Sequence, residues 1–267
     1  MGTFEVIACN WATASENKIH DDTVARQFGF RGGLVPGVTL YAYIARTILD
    51  AHGVGWLSGG QASVRFLQPA YEGEAVVATH NEEEGHSEPL AVIGLNGPDG
   101  AFSVAGTCHP PSDTIPAAEV DVAIFASRPL PAERPPADEV TLSAETALGS
   151  LHKVFEPAEQ QAYLDAIGLD DPHCTPAGVA HPGWLLLDAN SILVANVRMG
   201  PWIHVGSEVR SIAPVRAGQH VEVRANVIER YERKEHRFVV LDVLTLADDA
   251  PVHRVRHTAI YEPRRNV

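Results

Sequence analysis

The chain repeats itself, and that repeat limits its fold more than any other feature of the sequence. Val64-Arg65-Phe66-Leu67-Gln68-Pro69, followed by Gly73, aligns with Val209-Arg210-Ser211-Ile212-Ala213-Pro214, followed by Gly218, at a constant separation of 145 residues. Upstream, Pro36-Gly37-Val38 aligns with Pro182-Gly183-Trp184 at a separation of 146. Near the two ends, Gly106-Thr107-Cys108 sits where His257-Thr258-Ala259 sits in the second copy. Few identities are kept, but the order and spacing of the matches read as two copies of one unit.

Each copy has the same order of elements. A Pro-Gly opens an apolar helix, over 38–50 in the first copy and 184–197 in the second. Alternating, β-branched stretches then predict strands over 62–67, 74–80, 90–95 and 102–108, and again over 204–212, 220–231, 236–246 and 252–261. The P-x-x-x-G pieces, 69–73 and 214–218, read as turns between strands, and 82–86 and 232–235 as polar hairpin tips. A helix followed by a run of antiparallel strands is an α+β arrangement, and the second helix can pack on the same sheet face as the first. The division is a first repeat over 1–110, a Pro/Ala-rich linker over 111–140 and a second repeat over 141–267. The linker reads as stiff and laid against the surface, with a short strand over 120–125.

The richest chemistry lies ahead of the first helix. Ser15, Glu16, Asn17, His20, Asp21 and Asp22 precede a short amphipathic helix that stops at Gly29, and a loop with Gly32, Gly33 and Pro36 leads to Gly37. A helix that opens on glycine presents free backbone N–H groups, which can receive a polarised carbonyl. Asn17-Lys18-Ile19-His20, followed by Ala25, Gly29-Phe30 and Pro36-Gly37, resembles the signature of MaoC-like proteins, the (R)-specific enoyl-CoA hydratases. That signature runs Asp-x-Asn-Pro-(aliphatic)-His, so Ser15 stands where the family has Asp and Lys18 where it has Pro. The resemblance implies a hotdog fold, a long helix wrapped by an antiparallel sheet, here in a double version covering nearly all of the chain outside the linker. It implies roles for His20 in proton transfer, for the Gly37 N–H as oxyanion donor, and for Asn17 in ordering the substrate or its loop. It also implies that one half does the chemistry while the degenerate half makes room for an acyl chain. By that resemblance the first half, with its Asn-x-x-His frame, is expected to be the working one.

The remaining candidates carry plainer alternatives. A serine hydroxyl is not ionised near neutral pH, so Ser15 is a poor base without help. Glu16 is a nearby carboxylate, and Asp21 and Asp22 read as caps for the short helix. In the second half, His173-Cys174 is an unsupported nucleophile pair, because adjacent residues seldom face each other. His181, directly before Pro182-Gly183, is placed by a helix N-terminus toward any bound carbonyl, and Pro36, Val38, Gly183 and Trp184 join it as substrate-binding candidates. Asp188 and Asn190 interrupt an apolar helix, so they either hydrogen-bond the linker or line a cavity. Trp184, Trp202 and His204 either wall the same cavity or pack the core, and core packing is the simpler reading.

A net charge of −14 argues against nucleic acid, which requires a basic footprint. The three cysteines share no close spacing, so neither a disulfide framework nor a metal site is expected, and no cofactor is expected either. The N-terminus lacks the basic and apolar regions of a secretory signal, and no apolar run approaches the ~20 residues of a membrane span. The expectation is a cytoplasmic protein without membrane contact, forming a homodimer. Its function is expected to be hydration or dehydration of an acyl-CoA or acyl-carrier-protein thioester. The alternatives are a catalytically silent acyl-thioester binder or partner subunit, and a hotdog thioesterase.

Overall fold

The computed structural model describes residues 2–86, 89–111 and 120–264. At its centre Ser63 pairs with Glu208, and 208 − 63 is the 145-residue separation of the repeat. Gln61 pairs with Arg210 and Arg65 with Gly206, so each pair maps onto the other when 145 is added to one member and subtracted from the other. The repeat is therefore a pseudo-two-fold axis passing through one strand pair.

The strands are β1 (Gly2–Ile7), β2 (Gln61–Phe66), β3 (Ala75–Glu83), β4 (Leu90–Asn96), β5 (Phe102–His109), β6 (Leu151–Val154), β7 (Ile203–Ser211), β8 (His220–Arg233), β9 (His236–Ala247) and β10 (Ala250–Glu262). They form a 10-stranded sheet in the order β1-β3-β4-β5-β2-β7-β10-β9-β8-β6, which reads the same from either edge once the copies are exchanged. Neighbouring strands pair antiparallel throughout. The eight strands expected from the sequence are all present. The edge strands β1 and β6 were not expected, since six and four residues carry too little alternation to stand out. The tip between β8 and β9 is tight, with Lys234 and Glu235 both at positive φ (52° and 62°), as a two-residue hairpin turn requires. At the other expected tip, 82–86, Glu82 and Glu83 still belong to β3, and the turn after residue 86 passes through 87 and 88, outside the described residues.

The helices are α1 (Asp22–Gln27), α2 (Gly37–His52), α3 (Pro157–Ala166), α4 (Cys174–Ala177) and α5 (Pro182–Asn196). In α2 nearly every residue from Val38 to Leu49 is buried, as in a helix surrounded by protein. The two long helices meet at Gly183, where a Cβ would overlap Ala42, so glycine permits their close approach. No helix among the described residues is long and apolar enough to cross a membrane. Within the connecting segment, the strand expected over 120–125 is instead a 3₁₀ turn at Val122–Ile124, with Asp121 accepting from the Ala123 N–H. The segment docks by burying Phe125 on Leu244 and Leu246 rather than by joining the sheet.

Asp188 resolves the question of polar residues in α5. It is buried, and Lys153 Nζ from β6 donates to its Oδ1 at 2.6 Å while lying 3.7 Å from the centre of the Trp184 ring. Removing one member of a buried pair strands the other charge, at a cost of roughly 3–5 kcal/mol. Lys153→Met is expected to lower the urea-unfolding free energy by about that much, and Lys153→Met/Asp188→Leu to recover most of the loss. Equal stability of the single and double variants would refute this account.

Candidate active site

Asn17 and His20 are set by a single 3₁₀ turn, Lys18–His20. Asn17 caps that turn by accepting from the Ile19 N–H at 3.3 Å. The same side chain reaches the second half: its Nδ2 donates to the Trp202 carbonyl at 3.0 Å, and its Oδ1 accepts the Trp202 N–H at 3.1 Å. Asn17 thus ties this loop to the opposite copy.

His20 Nδ1 lies 2.7 Å from the Leu34 carbonyl oxygen, which can only accept, so Nδ1 carries the proton. Nε2 is then the unprotonated nitrogen and accepts a hydrogen bond from Asn17 Nδ2 at 3.3 Å. Burial lowers the His20 pKa, against the opposing pull of the Leu34 carbonyl, so the ring is neutral at pH 7. The glycine loop closes over it. A Cβ at Gly33 would overlap the His20 carbonyl oxygen, and the Gly33 N–H is held by Asp22 Oδ1 at 2.8 Å. Asp21 caps α1, accepting from Thr23 and Val24. Both aspartates thus work as caps and ties.

Helix α2 opens at Gly37 with no side chain capping it. A cavity of about 140 Å³ lies beside this end, bounded by Asn17, His20, Pro36, Gly37, Phe66 and His204, among others. No carboxylate among the described residues lines it. A second groove, of about 300 Å³, shares Asn17, His20, Pro36, Asn190 and Trp202 with the cavity and extends past Ser15, Glu16 and Val38. His20 stands where the two meet.

Three expected residues lie elsewhere. His181, Gly183 and Trp184 are buried away from both spaces, because the His181 ring caps α5 by accepting the Gly183 N–H at 3.1 Å. That donor is therefore occupied, and Trp184 packs on Phe155 with ring centres 5.0 Å apart. Burial, opposed by the nearby Asp171 carboxylate, drives the His181 pKa down. Ser15 faces only the outer groove, its hydroxyl donating to the Asn17 carbonyl at 3.2 Å. Glu16 is engaged bidentately by Arg134 of the connecting segment, both contacts at 3.0 Å. His173 pairs with Asp50 at 2.7 Å, and burial raises the Cys174 thiol pKa far above neutrality.

Trp202 and His204, read from sequence as core, wall the cavity instead. His204 Nε2 lies 2.8 Å from Ser207 Oγ, which lies 3.1 Å from His257 Nδ1, and the two ring centres are 4.2 Å apart with the planes tilted by 32°. His204 Nδ1 has no hydrogen-bond partner among the described residues, and a Cβ at Gly37 would stand 2.9 Å from it. Burial, and then the neighbouring His257, pushes the His204 pKa well below its ordinary value. By strand register His257, paired with Ser207, holds the inward place that Cys108, paired with Ala62, holds in the first copy. Asn190 likewise lines the cavity, with its buried Oδ1 unpartnered among the described residues.

No family model matches this chain, and no curated protein matches it. Solved structures do. A protein assigned as a MaoC domain dehydratase from Chloroflexus aurantiacus superposes with a TM-score of 0.64 at 10% identity, over 99% of this chain and 95% of that one. A conserved hypothetical protein from Mycobacterium tuberculosis with a double hotdog fold gives 0.61 at 15%, over 97% and 95%. A protein assigned as an oleoyl thioesterase from Lactobacillus plantarum gives 0.55 at 15%, over 98% and 96%. At such identities the likeness carries the architecture, and by that architecture this chain is an α+β protein of the double hotdog fold, the fold it shares with MaoC-like dehydratases.

Proposed function

We propose that this protein hydrates or dehydrates short acyl thioesters, bound to CoA or to a carrier protein, with His20 as both base and acid. The observation that carries this reading is the His20 Nε2 lone pair at a cavity beside the uncapped start of α2. An enoyl thioester with its carbonyl at Gly37 places its double bond toward His20. Water then bonds to the β-carbon as Nε2 takes its proton, the π pair moves onto the thioester as an enolate, and the imidazolium returns the proton to the α-carbon. The enolate oxygen requires donors set in place beforehand. Gly37 N–H is one. His204 Nδ1–H is a second in the tautomer where Ser207 donates to His204 Nε2 and accepts from His257 Nδ1. A cavity of about 140 Å³ suits a short acyl head. The lack of a carboxylate on its wall favours hydration over hydrolysis by carboxylate-activated water. A cytoplasmic, homodimeric protein remains part of the proposal.

Crotonyl-CoA, followed by loss of enoyl absorbance and by free thiol in parallel, tests it. The expected result is slow hydration without thiol release, quickened by Ser15→Asp, which adds a carboxylate to the groove that reaches His20. Thiol release instead means hydrolysis. Saturable binding with neither reaction means a silent binder.

A further inference from the structure

At the far end of α2, roughly 22 Å along the helix from Gly37 at 1.5 Å per residue, a second polar cluster lies inside the first half. His52 is the last residue of α2, His80 lies on β3 and Cys108 on β5. Their potential ligand atoms all lie within 4.8 Å of one another. His52 Nε2 and His80 Nε2 are 3.2 Å apart, with the rings nearly perpendicular at 71°. Two nitrogens bound to one tetrahedral zinc at about 2.0–2.1 Å stand at close to this separation. His80 and Cys108 are buried at 3% and 0% exposure, and His52 is half-buried, which leaves a path from solvent.

We propose that His52, His80 and Cys108 bind a transition-metal cation of the zinc class, fastening the C-terminal end of α2 to β3 and β5. Two imidazoles and a thiolate form a set that selects zinc, cobalt or copper over magnesium or calcium. The Trp56 indole N–H donates to the carbonyl of the neighbouring His109 at 3.2 Å, and burial pushes the Cys108 thiol up to about 12, so the cation itself must displace the thiol proton. On binding, the thiol proton leaves to solvent and the sulfur lone pair forms the bond to the cation.

Cobalt(II) reports on the site directly. Titrating the metal-free protein is expected to give a thiolate-to-cobalt charge-transfer band and tetrahedral visible bands that saturate at one ion per chain. Zinc should then displace the cobalt and raise Tm. Cys108→Ser should abolish the charge-transfer band. His52→Ala, at a half-buried position that the fold tolerates, should weaken binding by about tenfold or more, since even outer-shell changes cost that much. A folded protein with no bands and no Tm shift would overturn the site. So would a cobalt spectrum unchanged by Cys108→Ser and His52→Ala, which would locate the ion on other histidines.

Discussion

Urea denaturation at pH 5 should report a protein about 4 kcal/mol less stable than at pH 7.5, through two buried imidazoles alone. Burial lowers the pKa of His253 to about 4 and that of His257 to about 3, from an ordinary value of 6.5. Each ring is neutral in the folded protein until the pH reaches its depressed pKa, whereas the unfolded chain takes up a proton near pH 6.5. Between those limits the unfolded state binds more protons, so stability is complete above pH 6.5 and drains away as the pH falls toward 4. His181 and His204, also lowered by burial, act in the same direction. Each pKa unit is worth about 1.36 kcal/mol, which gives the size of the effect. His253→Gln should flatten the profile by about one proton's worth. A stability independent of pH over this range would mean that these rings titrate normally and are wetter than the structure has them.

The largest effect on activity is expected at His20. If its Nε2 moves both protons, His20→Ala should cut turnover by ~10²–10⁴, the usual contribution of a positioned acid or base. Tm should change little, because the ring faces a cavity rather than the packed interior. His173→Ala, at a half-buried ion pair with Asp50, should leave turnover unchanged. The wild-type rate should fall in acid below the ordinary histidine range, since Nε2 must be unprotonated to begin and burial lowers its pKa. Equal losses from the two substitutions would move the chemistry out of the first half.

The architecture was legible because the repeat constrains it twice, through element order and through a constant spacing that reappears as strand register. Short edge strands were not legible, since four to six residues do not establish a period. In the site, the local frame was readable: Asn17, His20 and Gly37 lie within one continuous stretch and meet at one cavity. His204 and Trp202 were not. Each is an ordinary inward residue in its own strand context, and only pairing of the halves brings it to Gly37 and Asn17. His181 misled for a related reason. Its position before Pro-Gly copies the first half, but its ring turns inward and occupies the very N–H that Gly37 leaves free of a side-chain cap.

The two hydrogen bonds from Asn17 to the Trp202 backbone have a consequence for how such a site persists. Asn190 and the residues from Trp202 to Val205 on the cavity wall arrive from a unit that, as a separate chain, would reach its counterpart only by diffusion. A tether of about thirty residues fixes the effective concentration in the millimolar range, so the cavity forms at any dilution. That frees the second copy from keeping the Asn-x-x-His frame of the first, and its sequence can drift so long as it still supplies this stretch of wall.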